Sequence, residues 1–411
     1  MNKLFGRVLG RLKWEAHWRC AEPVVVLECD DWGLLRQPCQ QLLSTYGEPQ
    51  DWAKEWLETE NDLERLYGIL GQFRDVGGRP ACITANFIVA NPDFERIEAS
   101  AFQKYYEIPI LAHKTLKDKW LEGIARKVFL PQYHGRSHFW PPALLRDLQD
   151  DTPGARDLFR NHCHGGLALL KGSEWRYHSE YFNWYSGETL SDRERLSWVK
   201  KGLEYFQQTF NFFPKSTLTP HYLFDPSLCQ TWRQAGFHFV QGTNYHILRK
   251  SDASMLVLSH ALGEASPEGL LFLARMVRFE PRPRSRFKDV DTAVKGVLNC
   301  FQNRIPAVLE SHRLNFTGPW QDQAFSSLSR LLEAISAYKP IFLTAVELGE
   351  AIAQNGIFQD VFTGEQRQLT PLGGPWRRFL RASVAAVNRF LAKGNLSPGY
   401  NHLPGGMTQG K

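Results

Sequence analysis

The chain has no Cys-x-x-Cys pair. Its seven cysteines, Cys20, Cys29, Cys39, Cys82, Cys163, Cys229 and Cys300, are scattered and odd in number, so neither a disulfide framework nor a cysteine-rich zinc site is indicated. No run approaches the roughly 18 uninterrupted apolar residues of a membrane span. The opening MNKLFGRVLGRLKWEAHWRC lacks the apolar middle and the small-residue cleavage site of a secretory signal. Together these absences predict a cytoplasmic protein. Neither G-x-G-x-x-G nor G-x-x-x-x-G-K-[ST] occurs, so the phosphate-cradling turn of nucleotide-binding open sheets has no candidate. There is no internal repeat.

What is present is the profile of an ordinary globular protein: 411 residues, 43% apolar and 22% charged. The formal charge of +6 is unevenly spread. Residues 1–20 carry five basic side chains against one acid, and residues 376–393 carry five against none. The long stretch between is slightly acidic, which excludes a uniformly basic nucleic-acid binder. Both ends, KLFGRVLGRLKW (3–14) and WRRFLRASVAAVNRFLAK (376–393), combine apolar and basic residues. In the second, Trp376, Phe379, Leu380, Ala386, Val387, Phe390 and Leu391 form one helical face. Such segments suit an anionic membrane surface, which would make the protein peripheral to a membrane, or a terminal helix docked on the fold.

Between the ends, β-rich runs alternate with amphipathic stretches. Strands are predicted over 24–29, 81–87, 127–133, 216–219, 237–241, 270–279, 307–310 and 341–344. Helices are predicted over 51–74, 115–126, 141–148, 191–210, 226–235, 289–303 and 321–337, where apolar residues recur three and four apart. This alternation means an α/β fold with a parallel sheet, and about seven or eight strands imply closure into a distorted β/α barrel. The expected organisation is a basic segment 1–20, a barrel 21–355 interrupted by an irregular insertion near 153–188, and a basic helix with a loose tail over 356–411.

In such folds chemistry collects at the carboxyl ends of the strands. The residues at those ends are polar in this chain: Asp30-Asp31, then Asn86, His134 and His138 in YHGRSH, Thr219-Pro220-His221-Tyr222, Asn244-Tyr245-His246, Arg278 with Glu280, and Glu310-Ser311-His312. Two histidines four apart and a carboxylate from another strand make a facial set that leaves metal positions open. A second acid beside the ligand can take the proton of an activated water, and a histidine across the site can protonate a leaving group. The cation would also offset the repulsion between adjacent acids. Other readings of the same residues are a glycoside hydrolase pairing Asp30 or Asp31 with Glu310, and an iron oxygenase built on two histidines and one carboxylate.

These residues also resemble, in order and placement, the polysaccharide deacetylases, metal-dependent hydrolases that remove acetyl groups from sugars on a distorted β/α barrel. LECDDWG stands where that family has T-F-D-D-G, HGRSH where it has H-[ST]-x-x-H, and LESH (Leu309 to His312) where it has L-x-x-H. DDWG, ANPDF, QYHGRSH, SHRLNF and TAVELGE look like a cytoplasmic-type branch of the family. The resemblance spans residues 24 to about 345. It implies one divalent ion, zinc or else nickel, cobalt or another, held by Asp31, His134 and His138. It further implies Asp30 as base, His312 as general acid and a backbone N–H near Tyr222 for the oxyanion, with His221, Asn86, Arg278 and Tyr245 around the substrate.

Three positions depart from the family pattern. Leu218 in LTPHY takes the place of an arginine that tunes the base, Gly135 replaces a Ser or Thr, and Trp32 precedes Gly33. Arg278 is the expected replacement for the lost positive charge. The resemblance implies a deacetylase acting on an acetylated sugar or glycan precursor; the alternative is a non-catalytic carbohydrate- or membrane-binding protein on the same fold.

Overall fold

In the computed structural model, which describes residues 2–46, 51–174, 179–243 and 245–392, the run Val24–Trp32 (β1) is buried along all nine residues. That is how a parallel strand covered on both faces reads. It is followed by Ile83–Ile88 (β2), Phe129–Gly135 (β3), Ser216–Thr217 (β4), Phe239–Thr243 (β5), Leu271–Arg275 (β6), Val277–Arg278 (β7), Ala307–His312 (β8) and Ile341–Leu343 (β9). Strands β1 to β6 pair in chain order, all parallel. β6 runs through Met276 into β7, β7 pairs with β8, and β8 pairs with β1. The two ends of the ladder therefore lie on one continuous segment, 271–278, which closes the sheet into a distorted barrel of an α/β fold. Strand β9 pairs with the first residues of β1.

Alternation along the strands sorts the side chains into two cores. Val25, Leu27 and Cys29 face outward with Ile83, Ala85, Phe87, Phe129 and Tyr133, and pack under the helices Glu60–Gln72, Lys114–Ala125, Asp192–Phe210, Val290–Gln302 and Gln321–Ser336. Val24, Val26, Leu130, Phe239, Leu273 and Val308 face inward at the amino-terminal end of the barrel. The helix Ala345–Ala353 plugs that end: a Cβ on Gly349 would lie 2.6 Å from the Phe239 ring, so only glycine allows the approach. Above this apolar floor the inward positions turn polar: Glu28, Asp30, Thr84, Asn86, Gln132, His134, Ser216, Gln241, Arg275 and Glu310, all buried.

The segments that follow β1, β2 and β3 build a wall over the carboxyl end of the barrel. Its own apolar cluster includes Cys39, Ala53, Phe94, Phe102, Phe139, Leu148, Phe159 and Leu167. The irregular insertion contributes the helix Ala155–Arg160 and the turn His164–Leu169, while 175–178 lie outside the described residues.

Several expected boundaries move. The single helix over 51–74 is two pieces, Asp51–Lys54 and Glu60–Gln72. The second starts afresh at a capping box in which Thr59 and Asp62 satisfy each other's backbone N–H groups. The strand over 237–241 extends to Thr243, and the chain then forms a hairpin of Tyr245–Arg249 with Met255–Ser259.

The C-terminal helix, Gly374–Ala392, packs against Asn2–Ala16 and the barrel. Its buried side is Leu380, Val384, Ala385, Asn388 and Leu391. Trp376, Phe379 and Phe390, placed on the same face from the sequence, are instead exposed, because the inward stripe is centred on Val384 and Leu391. Asn388 anchors the helix by donating to the Ser259 carbonyl and to Glu264. No helix among the described residues is long and apolar enough to cross a membrane. The sequence beyond Ala392 lies outside the described residues.

Candidate active site

Regular alternation would send Asp30 into the barrel and Asp31 out of it. Both instead line the same cavity, of about 230 Å³, at the carboxyl end of the barrel. Asp31 adopts φ 73°, a left-handed conformation that Asp tolerates better than most residues, and the pairing of β1 with β2 shifts register between Cys29 and Trp32. This bulge re-aims one side chain. It turns Trp32 outward against Phe129, ring centroids 5.1 Å apart, so the extra tryptophan belongs to the outer core. Gly33 closes the bulge at φ 73°, where a Cβ would lie 2.9 Å from the Ile88 carbonyl oxygen.

His134 at the end of β3 and His138 in the following turn both direct Nε2 at one oxygen of Asp31, at 3.3 and 3.2 Å. One ligand atom from each of the three residues lies within 4.8 Å of the others. Atoms that each stand about 2.0–2.2 Å from a zinc ion are about 3–3.5 Å from one another, so the spacing and the donor types fit a divalent cation. Burial opposes charge on Asp31, yet the two imidazoles, with Arg36 nearby, hold its carboxyl well below the usual range.

The turn carrying these histidines is held by a residue that sequence reasoning missed. Glu180, in the insertion, accepts from the backbone N–H groups of Arg136 and Ser137 at 2.9 and 3.0 Å and from the Trp198 indole at 2.7 Å. A Cβ on residue 135 would meet its carboxylate at 2.8 Å. Gly135 is therefore the residue that admits Glu180.

Asp30 is tied from below. Arg275 donates to both of its oxygens at 2.7 Å, and Asn86 donates to Oδ1 at 2.8 Å. Three of the four acceptor sites of the carboxylate are then used, which leaves one on Oδ2. Burial would raise the pKa of Asp30; Arg275, together with His134 and His312 further off, outweighs it and lowers it. Arg275 also donates to Glu28 at 2.6 Å. Glu28, fully buried, stays raised to about 7 despite that partner.

Two expectations are corrected here. Arg278 does not replace the missing arginine: it pairs with Glu310 at 3.3 Å, because the chain kinks at Met276 between the inward Arg275 and β7. Asn86 does not meet substrate either. It is fully buried and exchanges amide hydrogen bonds with Gln241 at 2.9 Å in both directions, which fixes its amide plane beneath Asp30.

On the neighbouring strand β8, in register with Asp30, His312 donates from Nδ1 to Glu280 at 2.5 Å. Glu280 is fixed in turn by Arg282 at 2.8 Å and Asn315 at 3.1 Å. Burial opposes protonation of His312, but Glu280, with Asp30 and Asp31 further off, raises its pKa to about 9. Glu280 itself resists burial and falls to about 2. His312 therefore carries its proton at neutral pH and presents Nε2 to the cavity.

His221 and Tyr222 line a further side, both in left-handed conformations at φ 55° and 59°. Two such residues in succession are strained, and strain of this kind concentrates at functional sites. The Tyr222 hydroxyl donates to Glu310 at 2.6 Å, so Glu310 is occupied by Tyr222 and Arg278 and does not line the cavity. Asp30 or Asp31 and Glu310, the carboxylate pair of the glycoside hydrolase reading, thus do not line one cavity. Backbone of Tyr245 belongs to the hairpin; its side chain lies outside the described residues.

No protein-family model matches the chain, and no curated protein does. Among solved structures it is similar to a 4-alpha-glucanotransferase from Thermococcus litoralis, at 10% identity over 80% of this chain and 40% of that one, TM-score 0.40. The chain spans less than half the length of that protein. It is also similar to a protein described as a polysaccharide deacetylase from Mycobacterium smegmatis (13% identity, 82% of this chain, 92% of that one, TM-score 0.40). A third is a mutant, with restored activity, of a family 4 carbohydrate esterase pseudoenzyme from Bacillus anthracis (10% identity, 81% of this chain, 70% of that one, TM-score 0.36). At such identities and scores the likeness says nothing of chemistry, which rests on the geometry of the cavity.

Proposed function

We propose that the protein is a metal-dependent hydrolase that removes an acetyl group from a carbohydrate. The observation that carries this reading is the meeting, in one cavity, of two unlike proton-handling groups and a metal-type ligand set. The Asp30 carboxyl is held low with one acceptor site left, His312 is raised to about 9, and Asp31, His134 and His138 converge in the same cavity.

Asp31, His134 and His138 would hold the ion, which when bound supplies Lewis-acid polarisation of the acetyl carbonyl and acidifies a neighbouring water. Acidification matters because Arg275 makes Asp30 a weak base, unable to draw a proton from ordinary water. Arg275 and Asn86 fix the Asp30 plane, so its free Oδ2 position faces the cavity. His312 delivers a proton from Nε2 to the departing amine or alkoxide, and Glu280 stabilises the charge it carries beforehand. The strained backbone at His221 and Tyr222 is the candidate oxyanion donor. Trp52, half-buried in the cavity wall, offers a ring face to a sugar.

Acetate release from N- and O-acetylated oligosaccharides by zinc-, nickel- or cobalt-loaded protein tests the reading. Release is expected from wild type and its loss, by about 10²-fold or more, from Asp30→Asn and His312→Gln. Absence of release from every acetylated sugar with metal bound would overturn it. The cytoplasmic location expected from the sequence belongs to this proposal, with a glycan precursor as the substrate pool.

A further inference from the structure

We propose that the cavity selects acetylated saccharides that also carry an anionic group, a carboxylate or a phosphate, and that Arg36 and Arg282 are the residues that recognise it. This deepens the deacetylase reading and rests on it for the acetyl group.

The two arginines line the cavity together with the catalytic candidates. Both also approach one element, the turn Asp51–Lys54. Arg282 reaches Asp51 at 3.4 Å, and the Arg36 guanidinium lies 5.9 Å from the ring of Trp52. Both therefore lie near the turn that carries Trp52, which lines the same cavity. Each side chain is only 16% exposed, so neither is a freely solvated surface charge.

Their hydrogen-bonding capacity is not exhausted by the protein. Arg36 gives Nη1 to Glu55 at 2.5 Å and stands 3.7 Å from Asp31. Arg282 gives Nη2 to Glu280 and makes one long contact to Asp51. Its Nε is buried without an acceptor, and the part of the side chain that stays exposed lies beyond it. A guanidinium carries five N–H donors in a planar fork that matches carboxylate and phosphate, and a pre-anchored fork loses little freedom on binding them. A neutral sugar, with hydroxyls alone, does not require two desolvated cations beside its ring.

The test compares binding of glucuronate, glucose 6-phosphate and glucose to the full chain stripped of metal with a chelator, so that no ion draws the anions. Calorimetric or NMR titration is run on wild type, Arg282→Gln and Arg36→Gln, with circular dichroism to confirm folding. At least one charged sugar should bind about tenfold or more tighter than glucose. That preference should weaken at high salt and should fall severalfold in each variant. Arg282→Lys, which keeps the charge but not the fork, should fall between. A preference for only one of the two charged sugars identifies the anion. Equal binding of charged and uncharged sugars, or a preference unchanged in both glutamine variants, overturns the inference. Acetate release by metal-loaded protein from acetylated oligosaccharides with and without an anionic group, measured separately, keeps the two claims apart. Release without anion preference sinks this inference alone, whereas anion preference without release sinks the reaction and leaves the ligand class standing.

Discussion

Adjacent aspartates with identical chemistry acquire different roles here through one backbone angle. Asp31 at φ 73° turns to the histidines, while Asp30 keeps the inward direction of β1 and meets Arg275. Replacing Arg275 by Met leaves Glu28 and Asp30 buried without a counter-charge. The expected cost is about 3–5 kcal/mol in chemical denaturation, since breaking a buried ion pair strands the remaining charge; a cost under about 1 kcal/mol would show that the triad is not held as described. At His312 the expectation concerns pH. In the proposed reaction the protonated form is the acid, so acetate release should decline as pH rises past about 9. In Glu280→Gln the largest favourable partner is gone, burial dominates, and the alkaline limb should move to lower pH by more than one unit. An unmoved limb would assign it to another group. The two acids and the H-x-x-x-H pair were legible in the sequence because each is a local pattern at a strand end. The missing arginine at Leu218 was legible as a gap. The arginine that meets Asp30 was not, because Arg275 reaches it across the barrel and nothing local distinguishes Arg275 from Arg278 before the kink at Met276 is known. A signal existed all the same. Glu28 lies two residues before Asp30 and Gln132 two before His134, so the inward register is polar for more than one layer, and such a layer needs an inward cation on a facing strand.

At the scale of elements, apolar periodicity placed the strands and helices near their observed positions, and misjudged them where polar side chains decide. The helix expected over 51–74 breaks because Glu55 and Glu58 leave helical geometry to bind Arg313, which is wholly buried, at 2.9 and 2.6 Å. The same break frees the turn Asp51–Lys54 to reach the cavity. The C-terminal helix shows the converse error. Its amphipathic pattern was legible, but the sequence does not say which of two apolar stripes faces inward, and the answer is the one containing Leu380, Val384 and Leu391. Leu380 is 6% exposed and packs with Ala16, Ala261 and Val384. Leu380→Ala should therefore lower stability by about 2–4 kcal/mol, whereas Phe379→Ala, on the exposed side at 61%, should change it by less than about 0.5 kcal/mol. Denaturation curves showing equal effects for the two would mean that the helix is not docked in this way.

Across the whole molecule the barrel interior runs from an apolar floor, sealed by Ala345–Ala353, to a polar rim where the ionisable groups gather. Burial makes each of these groups dependent on its partner, and stability acquires a defined pH window. Glu280, lowered from 4.5 to about 2, contributes stability that is present above 4.5 and lost as pH falls towards 2. His312, raised from 6.5 to about 9, contributes stability that is full below 6.5 and lost as pH rises through 9. The pair is strongest between the two, so the melting temperature of wild type should exceed that of His312→Gln most at about pH 5–6, and the margin should shrink on either side. The proposed function gives the central role to Asp31, His134 and His138, and the most direct test is metal content by elemental mass spectrometry. After reconstitution with zinc and removal of excess, wild type should retain about one ion per chain, and Asp31→Asn or His138→Ala less than about a tenth of that. Wild type that retains no ion with zinc, nickel or cobalt, or variants that retain as much as wild type, would contradict this assignment.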